Sequence, residues 1–281
     1  MLLPRLIARL DIKGKNVVKG VHMEGLRIVG QPQEMAQQYA EDADELLYID
    51  TVASLYGRNQ LKTLLEQTSE NTFIPITVGG GIRSVEDVRE LLRAGADKCA
   101  VNTAAIRDPD LIRRIADICG SQAIVVSIEA KRSSANSWEA LTDNGRERTG
   151  RDAVAWAAHA VQLGAGEILL TSVDQDGTRR GFDLGLIRAV AERCPVPLVV
   201  SGGMGCVEHA LQAFQAGADA VAMASVLHYG KLTIQEVSDG LFTTCQFRAG
   251  RKSGEGRAGG GCAGGIQEEG AGEHRRIDGV R

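Results

Sequence analysis

The chain has 281 residues, of which 43% are apolar and 24% charged, and its formal net charge is −4. This length is typical of one large α/β domain, and the slight negative charge offers no basic surface for nucleic acid. The apolar runs are only as long as strands, which excludes a membrane-spanning helix, and charges interrupt the first of them, which argues against a signal peptide.

Eight short apolar runs follow one another along the chain. Each is too short for a helix and nearly continuous in Val, Ile and Leu, which is typical of a parallel strand covered on both faces. The predicted strands are residues 6–11, 45–50, 74–78, 98–102, 123–129, 167–173, 197–201 and 220–225. Between them lie amphipathic stretches that end at glycine, such as VEDVRELLRAG and VEHALQAFQAG, and these predict helices.

Eight strand–helix units predict a (β/α)8 TIM barrel, which we assign to residues 1–247. Residues 248–281 are rich in glycine and have almost no side chains to bury. Such a composition cannot offset the loss of conformational entropy on folding, so this tail is predicted to be disordered.

Two segments of the chain are nearly the same. VGGGIRSVEDVRELLRAGADKCAVNTAAI begins at Val78, and VSGGMGCVEHALQAFQAGADAVAMASVL begins at Val200. In this alignment Gly80 matches Gly202 and Thr103 matches Ser225. A repeat of this length indicates a duplicated half-barrel and not a solenoid of short repeats.

Small residues follow the strands of both halves at equivalent places. Glycines that only permit tight turns would explain either run alone. Both runs together, each followed by a polar residue after the next strand, favour two sites where backbone N–H groups bind phosphate. The predicted phosphate-binding residues are Gly80, Gly81, Asn102 and Thr103 in one half, and Asp176, Gly177, Gly202, Gly203, Ala224 and Ser225 in the other.

Asp11 and Glu129 end equivalent strands in the two halves. Burying an unpaired charge is costly, so each carboxylate is expected to have a role. One interpretation is an ion pair with the lysine two residues further on, Lys13 or Lys131. The other is a general acid and a general base that face each other across a substrate.

The six cysteines, at positions 99, 119, 194, 206, 245 and 262, form no CxxC pair. Their scatter is typical of reduced, mostly buried thiols in a cytoplasmic protein. A zinc site is the less favoured alternative, and the sequence predicts neither a metal nor a cofactor.

Several motifs together resemble one family. DIKGKNVVKG, VGGGI, GADKCAVNTAA, EAKR, GAGEILLTSVDQDGT, SGGMG and ASVLH are similar to the cyclase subunit of imidazole glycerol phosphate synthase, an enzyme of histidine biosynthesis. The resemblance covers roughly residues 4–237. It implies a cytoplasmic heterodimer in which a glutaminase subunit docks at the bottom of the barrel and supplies ammonia through its interior.

The resemblance also implies a reaction and residues for it. The substrate would be a bis-phosphorylated ribulosyl aminoimidazole carboxamide ribonucleotide, and the products imidazole glycerol phosphate and an aminoimidazole carboxamide ribotide. The family's first catalytic aspartate matches Asp11, and its flexible-loop lysine matches Lys19, in a predicted lid over residues 12–31. A charged ring at the ammonia entrance matches Arg5, Glu45, Lys98 and Glu167.

The chain departs from the family at two positions near the predicted chemistry. Glu129 stands where the family has aspartate, and Arg9 where it usually has cysteine. A buried Arg9 is expected to lower the pKa values of both carboxylates. The stretches HMEGLRIVGQP and SLYGRNQL also differ from the family. Two alternatives therefore stay open: a paralogous barrel that uses another acceptor, such as a sugar intermediate of surface-polysaccharide synthesis, and a non-catalytic activator of a glutaminase.

Overall fold

The computed structural model describes residues 4–53 and 61–250 of the chain. Eight parallel strands form a closed barrel, because the last strand pairs with the first through Ile7 and Ala222. The barrel strands are β1 (Arg5–Lys13), β4 (Glu45–Asp50), β5 (Ile76–Gly79), β6 (Lys98–Val101), β7 (Ile124–Ser134), β10 (Glu167–Ser172), β11 (Leu198–Ser201) and β12 (Ala220–Met223). The predicted (β/α)8 fold is confirmed.

Helices connect the barrel strands and follow the last of them. Within the described residues they are Pro32–Ala40, Leu61–Ser69, Val85–Arg93, Thr103–Arg107, Asp110–Cys119, Ala153–Gln162, Leu184–Ala191, Val207–Gln215, Ser225–His228 and Ile234–Gly250, with one 3-10 turn at Ser121–Ala123. Local sequence explains their limits. Before Val85–Arg93, the Ser84 side chain accepts a hydrogen bond from the backbone N–H of Asp87, whose carboxylate accepts from the N–H of Ser84.

Side chains alternate along each strand, outward to the helices and inward to the barrel axis. The inward residues of the middle layer are apolar and form their own buried cluster: Ile7, Leu47, Ile49, Ala100, Val125, Leu169, Val199, Ala220 and Ala222. Polar side chains lie above and below this apolar belt. The barrel interior is therefore layered along its axis.

Two antiparallel hairpins extend the barrel at its carboxyl end. β2 (Asn16–Val21) and β3 (Glu24–Gly30) continue β1, in the segment predicted only as a lid loop. β8 (Ser137–Thr142) and β9 (Glu147–Asp152) continue β7, where no strands were predicted. The second hairpin did carry a local signal, because its turn contains Asn144 followed by Gly145, a common hairpin dipeptide.

The compact unit that contains the barrel ends at Thr243. The predicted disordered tail falls almost wholly outside the described residues, as does SLYGRNQL up to residue 60, and the boundary at residue 247 stays a prediction. Within the described residues no helix has the length and apolarity to cross a membrane, and Cys99, Cys119, Cys194 and Cys206 are free of disulfides.

Candidate active site

Asp11 and Glu129 lie on opposite walls of the barrel mouth. They stand near the carboxyl ends of β1 and β7, which are four strands apart in either direction around the barrel. Both side chains are almost fully buried, with 4% and 6% exposed. The structure thus brings together the two carboxylates that sequence placed at equivalent points of the repeat.

Asp11 is held by two cations, one on each oxygen. Arg9 Nε donates to Oδ1 at 2.8 Å, and Lys19 Nζ donates to Oδ2 at 3.0 Å. Burial alone would raise the pKa of Asp11, but these two ion pairs outweigh it and hold the pKa well below its usual range. Asp11 is therefore ionised throughout the neutral range. The alternative pairing with Lys13 is wrong, because the side chain of Lys13 is exposed and the cations on Asp11 come from elsewhere.

Glu129 has the opposite electrostatic environment. Burial is the largest influence and raises its pKa from the usual 4.5 to about 7, although the backbone N–H of Gly145, 2.7 Å from Oε2, and the charge of Arg9 both favour the ionised form. The expectation that Arg9 lowers the pKa of both carboxylates is confirmed, but for Glu129 the effect of burial is larger and the net shift is upward. Desolvation outweighs a cation that makes no direct contact. Lys131, the other predicted partner, is exposed.

Lys19 reaches the mouth from the β2–β3 hairpin. Its ammonium group joins Asp11 to Asp176, whose Oδ1 lies 2.8 Å from Nζ. The backbone N–H of Met23, in the turn of the same hairpin, donates to the other oxygen of Asp176 at 3.3 Å. The hairpin thus contacts the opposite half of the barrel through this carboxylate, and the backbone N–H of His22 also donates to the carbonyl oxygen of Asp176 at 2.9 Å.

The first predicted phosphate site lines a cavity of about 300 Å³ beside Glu129. Its walls include all four predicted residues, Gly80, Gly81, Asn102 and Thr103. Gly80 has φ 104°, and a Cβ there would lie 2.4 Å from the carbonyl oxygen of Asp50, so only glycine fits. Two cations that sequence analysis missed, Arg83 and Arg107, also line this cavity.

The second predicted site lines a much smaller cavity, of about 20 Å³. All six predicted residues line it: Asp176, Gly177, Gly202, Gly203, Ala224 and Ser225. A Cβ on Gly203 would lie 2.0 Å from the carbonyl oxygen of Gly181, which explains the glycine. Lys19 covers this cavity from the hairpin, and Arg179 is a lining cation that the sequence analysis did not identify.

The predicted charged ring lies at the opposite, amino-terminal end of the barrel. Arg5 donates to Glu45 at 3.2 Å and also to Glu167. Lys98 Nζ donates to the same two carboxylates at 2.8 and 2.7 Å. The four side chains alternate in charge around the barrel axis, directly below the apolar belt.

The comparisons with known proteins agree on one family. The model of the family described as "Histidine biosynthesis protein" matches residues 5–233. The "Imidazole glycerol phosphate synthase subunit HisF" of Legionella pneumophila is 62% identical over 205 residues, which cover 73% of this chain and 97% of that protein. The proteins of the same name from Thermobifida fusca (strain YX) and Streptomyces coelicolor (strain ATCC BAA-471 / A3(2) / M145) are each 52% identical, over 83% and 84% of this chain and 93% and 95% of their own lengths.

Proposed function

Because the chain belongs to the family of HisF subunits of imidazole glycerol phosphate synthase, the cyclase subunits of histidine biosynthesis, we propose that Asp11 and Glu129 carry its cyclase reaction. The observation that supports this most directly is the position of the two carboxylates. They face each other across the barrel mouth, between the two predicted phosphate sites, whose walls contain glycine and hydroxyl residues. We call these two sites the cradles.

The two carboxylates take different roles, because their surroundings drive their pKa values apart. Asp11 is held ionised by Arg9 and Lys19, so it is the member of the pair in the form that can accept a proton. Glu129, with a pKa of about 7, is protonated over part of the neutral range and can donate one. Addition of ammonia, cleavage of the substrate and closure of the imidazole ring all require such proton transfers, and general acid–base groups contribute typically about 10²–10⁴-fold to rate.

The substrate that fits this site carries a phosphate at each end. Backbone N–H groups of glycine runs bind phosphate oxygens without needing a side chain. The wider cradle, with Arg83 and Arg107 on its wall, takes one phosphate, and the cradle around Gly177 and Gly203 takes the other. This arrangement suits the bis-phosphorylated ribulosyl aminoimidazole carboxamide ribonucleotide, and we expect its ribulosyl carbons to lie between Asp11 and Glu129.

Ammonia enters from a glutaminase subunit at the other end of the barrel. The ring of Arg5, Glu45, Lys98 and Glu167 surrounds the axis there, and the belt above it consists of apolar side chains, which do not retain ammonia by charge. Phe73, which precedes β5 at this end, is 96% exposed. Large exposed aromatic side chains are typical anchors of protein interfaces. We place this heterodimer in the cytoplasm, because the four described cysteine thiols are free of disulfides.

The test uses the purified chain with the bis-phosphorylated substrate and excess ammonium salt, and it measures imidazole glycerol phosphate. Wild-type protein is expected to form this product, and to restore growth of a cyclase-deficient histidine auxotroph when a matching glutaminase is present. No product from folded protein would refute the assigned substrate and favour the paralogue.

The variant Asp11→Asn keeps the size of the side chain and removes the proton acceptor. Its turnover is expected to fall by about 10²–10⁴-fold. The control is Lys13→Gln on the same strand, where the exposed side chain has no role and turnover should be unchanged. If Asp11→Asn kept most of the wild-type rate, Asp11 would not be the base.

A further inference from the structure

Arg9 crosses the interior of the barrel from one wall to the other. It comes from β1, is only 3% exposed, and its Nη1 donates to Thr171 Oγ1 on β10 at 2.9 Å and to Ser201 Oγ on β11 at 3.2 Å. Its Nε donates to Asp11 at 2.8 Å. A buried cation is costly without partners, and this one has partners on three different barrel strands.

The two cations on Asp11 differ in what holds them. Lys19 belongs to the β2–β3 hairpin and lines the smaller phosphate cradle. A cavity of about 20 Å³ holds little more than one water molecule, so a phosphate can bind there only if a lining element moves. We take that element to be the hairpin, and Lys19 then moves with it. Arg9 is fixed to barrel strands and takes no part in that movement. When the hairpin is open, Arg9 is therefore the partner that remains on Oδ1 of Asp11.

We propose that Arg9 is a positioning residue of the cyclase reaction, which keeps the Asp11 carboxylate ionised and in one orientation whether the hairpin is open or closed. The inference rests on the proposed role of Asp11 as the base. Arg9 lines neither of the two cavities, so we assign it no contact with the phosphates.

The charges around Asp11 explain why Lys19 alone would not suffice. Arg9 and Lys19 favour the ionised form of Asp11, whereas the carboxylates of Asp176 and Glu129 and the burial of the site oppose it. His228, another titratable neighbour, has its pKa lowered to about 4, chiefly by burial, and is neutral near pH 7. Without Arg9, an open hairpin would leave Asp11 facing two carboxylates and no cation, and its pKa would rise.

The experiment measures kcat/KM for the bis-phosphorylated substrate against pH, with the concentration of neutral ammonia held constant. Arg9→Met keeps the length of the side chain and removes the charge. This variant should have a kcat/KM about a hundredfold lower, the effect of misplacing a reacting group by roughly 1 Å. The acidic limb of its profile of kcat/KM against pH should also move to higher pH. Arg9→Lys should keep the limb near its wild-type position while losing rate, because a lysine lacks the forked donors that reach Thr171 and Ser201.

A uniform loss of rate with an unmoved acidic limb would show that Arg9 only supports the fold, and an unchanged profile would show that it has no role. If Arg9→Met fails to fold, Thr171→Val and Ser201→Ala loosen the guanidinium without leaving a buried charge unpaired. Both variants should move the acidic limb to higher pH, by less than Arg9→Met does. If the limb moved in neither variant, the proposal would be overturned.

A second measurement separates this proposal from the proposed function. The carboxyl ¹³C resonance of Asp11, assigned by its absence in Asp11→Asn, is titrated in wild-type and Arg9→Met protein. An upward shift of its midpoint in Arg9→Met supports the positioning role even if wild-type protein does not turn over the substrate. An unchanged midpoint refutes that role, while wild-type turnover alone decides the proposed function.

Discussion

At the scale of single residues, the raised pKa of Glu129 has a consequence for stability. The unfolded chain releases this proton near pH 4.5, whereas the folded chain keeps it until about pH 7. The stability that Glu129 contributes is therefore fully present below pH 4.5 and is lost as the pH rises through 7, a decrease on the order of 3 kcal/mol in the free energy of unfolding. Asp11 has the opposite sign, because its lowered pKa stabilises the folded state at neutral pH and loses that effect only in acid.

Glu129→Gln cannot ionise, so we expect it to remove this pH dependence. Urea unfolding at pH 5 and pH 8 should show the variant gaining stability relative to wild type at the higher pH. The control is Glu86→Gln, at a side chain that is 75% exposed, which should follow the wild-type profile at both values. If Glu129→Gln lost as much stability between pH 5 and pH 8 as the wild type does, this would contradict the raised pKa of Glu129.

At the scale of elements, the two hairpins meet over the barrel mouth. Met23 in the first hairpin forms a small buried cluster with Leu141 of the second and Val173 after β10. Met23→Ala should weaken this contact by about 2 kcal/mol, the low end for such truncations. Amides of β2 should then exchange hydrogen faster, and KM for the bis-phosphorylated substrate should rise because Lys19 is held less well.

The matched control for Met23→Ala is Ile28→Ala. Ile28 lies on β3 of the same hairpin, but its side chain is 68% exposed and packs little. Exchange rates in β2 should stay at wild-type values in this variant. Equal effects of the two substitutions would mean that the hairpin responds to general destabilisation and not to its contact with the second hairpin.

At the scale of the whole molecule, the barrel separates the ammonia entrance from the carboxylates by its full height. Glu167→Gln leaves Glu45 as the only carboxylate for both cations of the ring. With the glutaminase bound, glutamine-driven turnover should fall by about tenfold, the scale of one lost charge-assisted hydrogen bond. Turnover with added ammonium should remain near wild type, because the mouth is untouched.

The control for the ring is Arg113→Gln, which breaks an exposed ion pair with Asp110 on a helix surface. Such pairs contribute little, so both ammonia sources should give wild-type rates. If Glu167→Gln lowered the two rates by the same factor, the ring would act on the barrel as a whole and not on delivery of ammonia.

Local patterns in the sequence were enough to determine the barrel, its internal repeat and the glycines of both cradles. Continuous apolar runs specify buried parallel strands, and glycine runs at the ends of strands are typical of tight turns and phosphate sites. Each of these features is therefore encoded by residues that are close together in the sequence. The second hairpin could also have been predicted from the sequence, since the Asn144-Gly145 dipeptide marks its turn.

Contacts between distant parts of the chain determine which groups meet at the mouth. The partners of Asp11 are Arg9, two residues before it, and Lys19 on a separate strand, whereas Lys13 points to solvent. The pKa of Glu129 depends on how completely packing removes water from it, and here that desolvation exceeds the attraction of Arg9. Burial and long-range contacts depend on the whole fold, so they cannot be read from any single stretch of sequence.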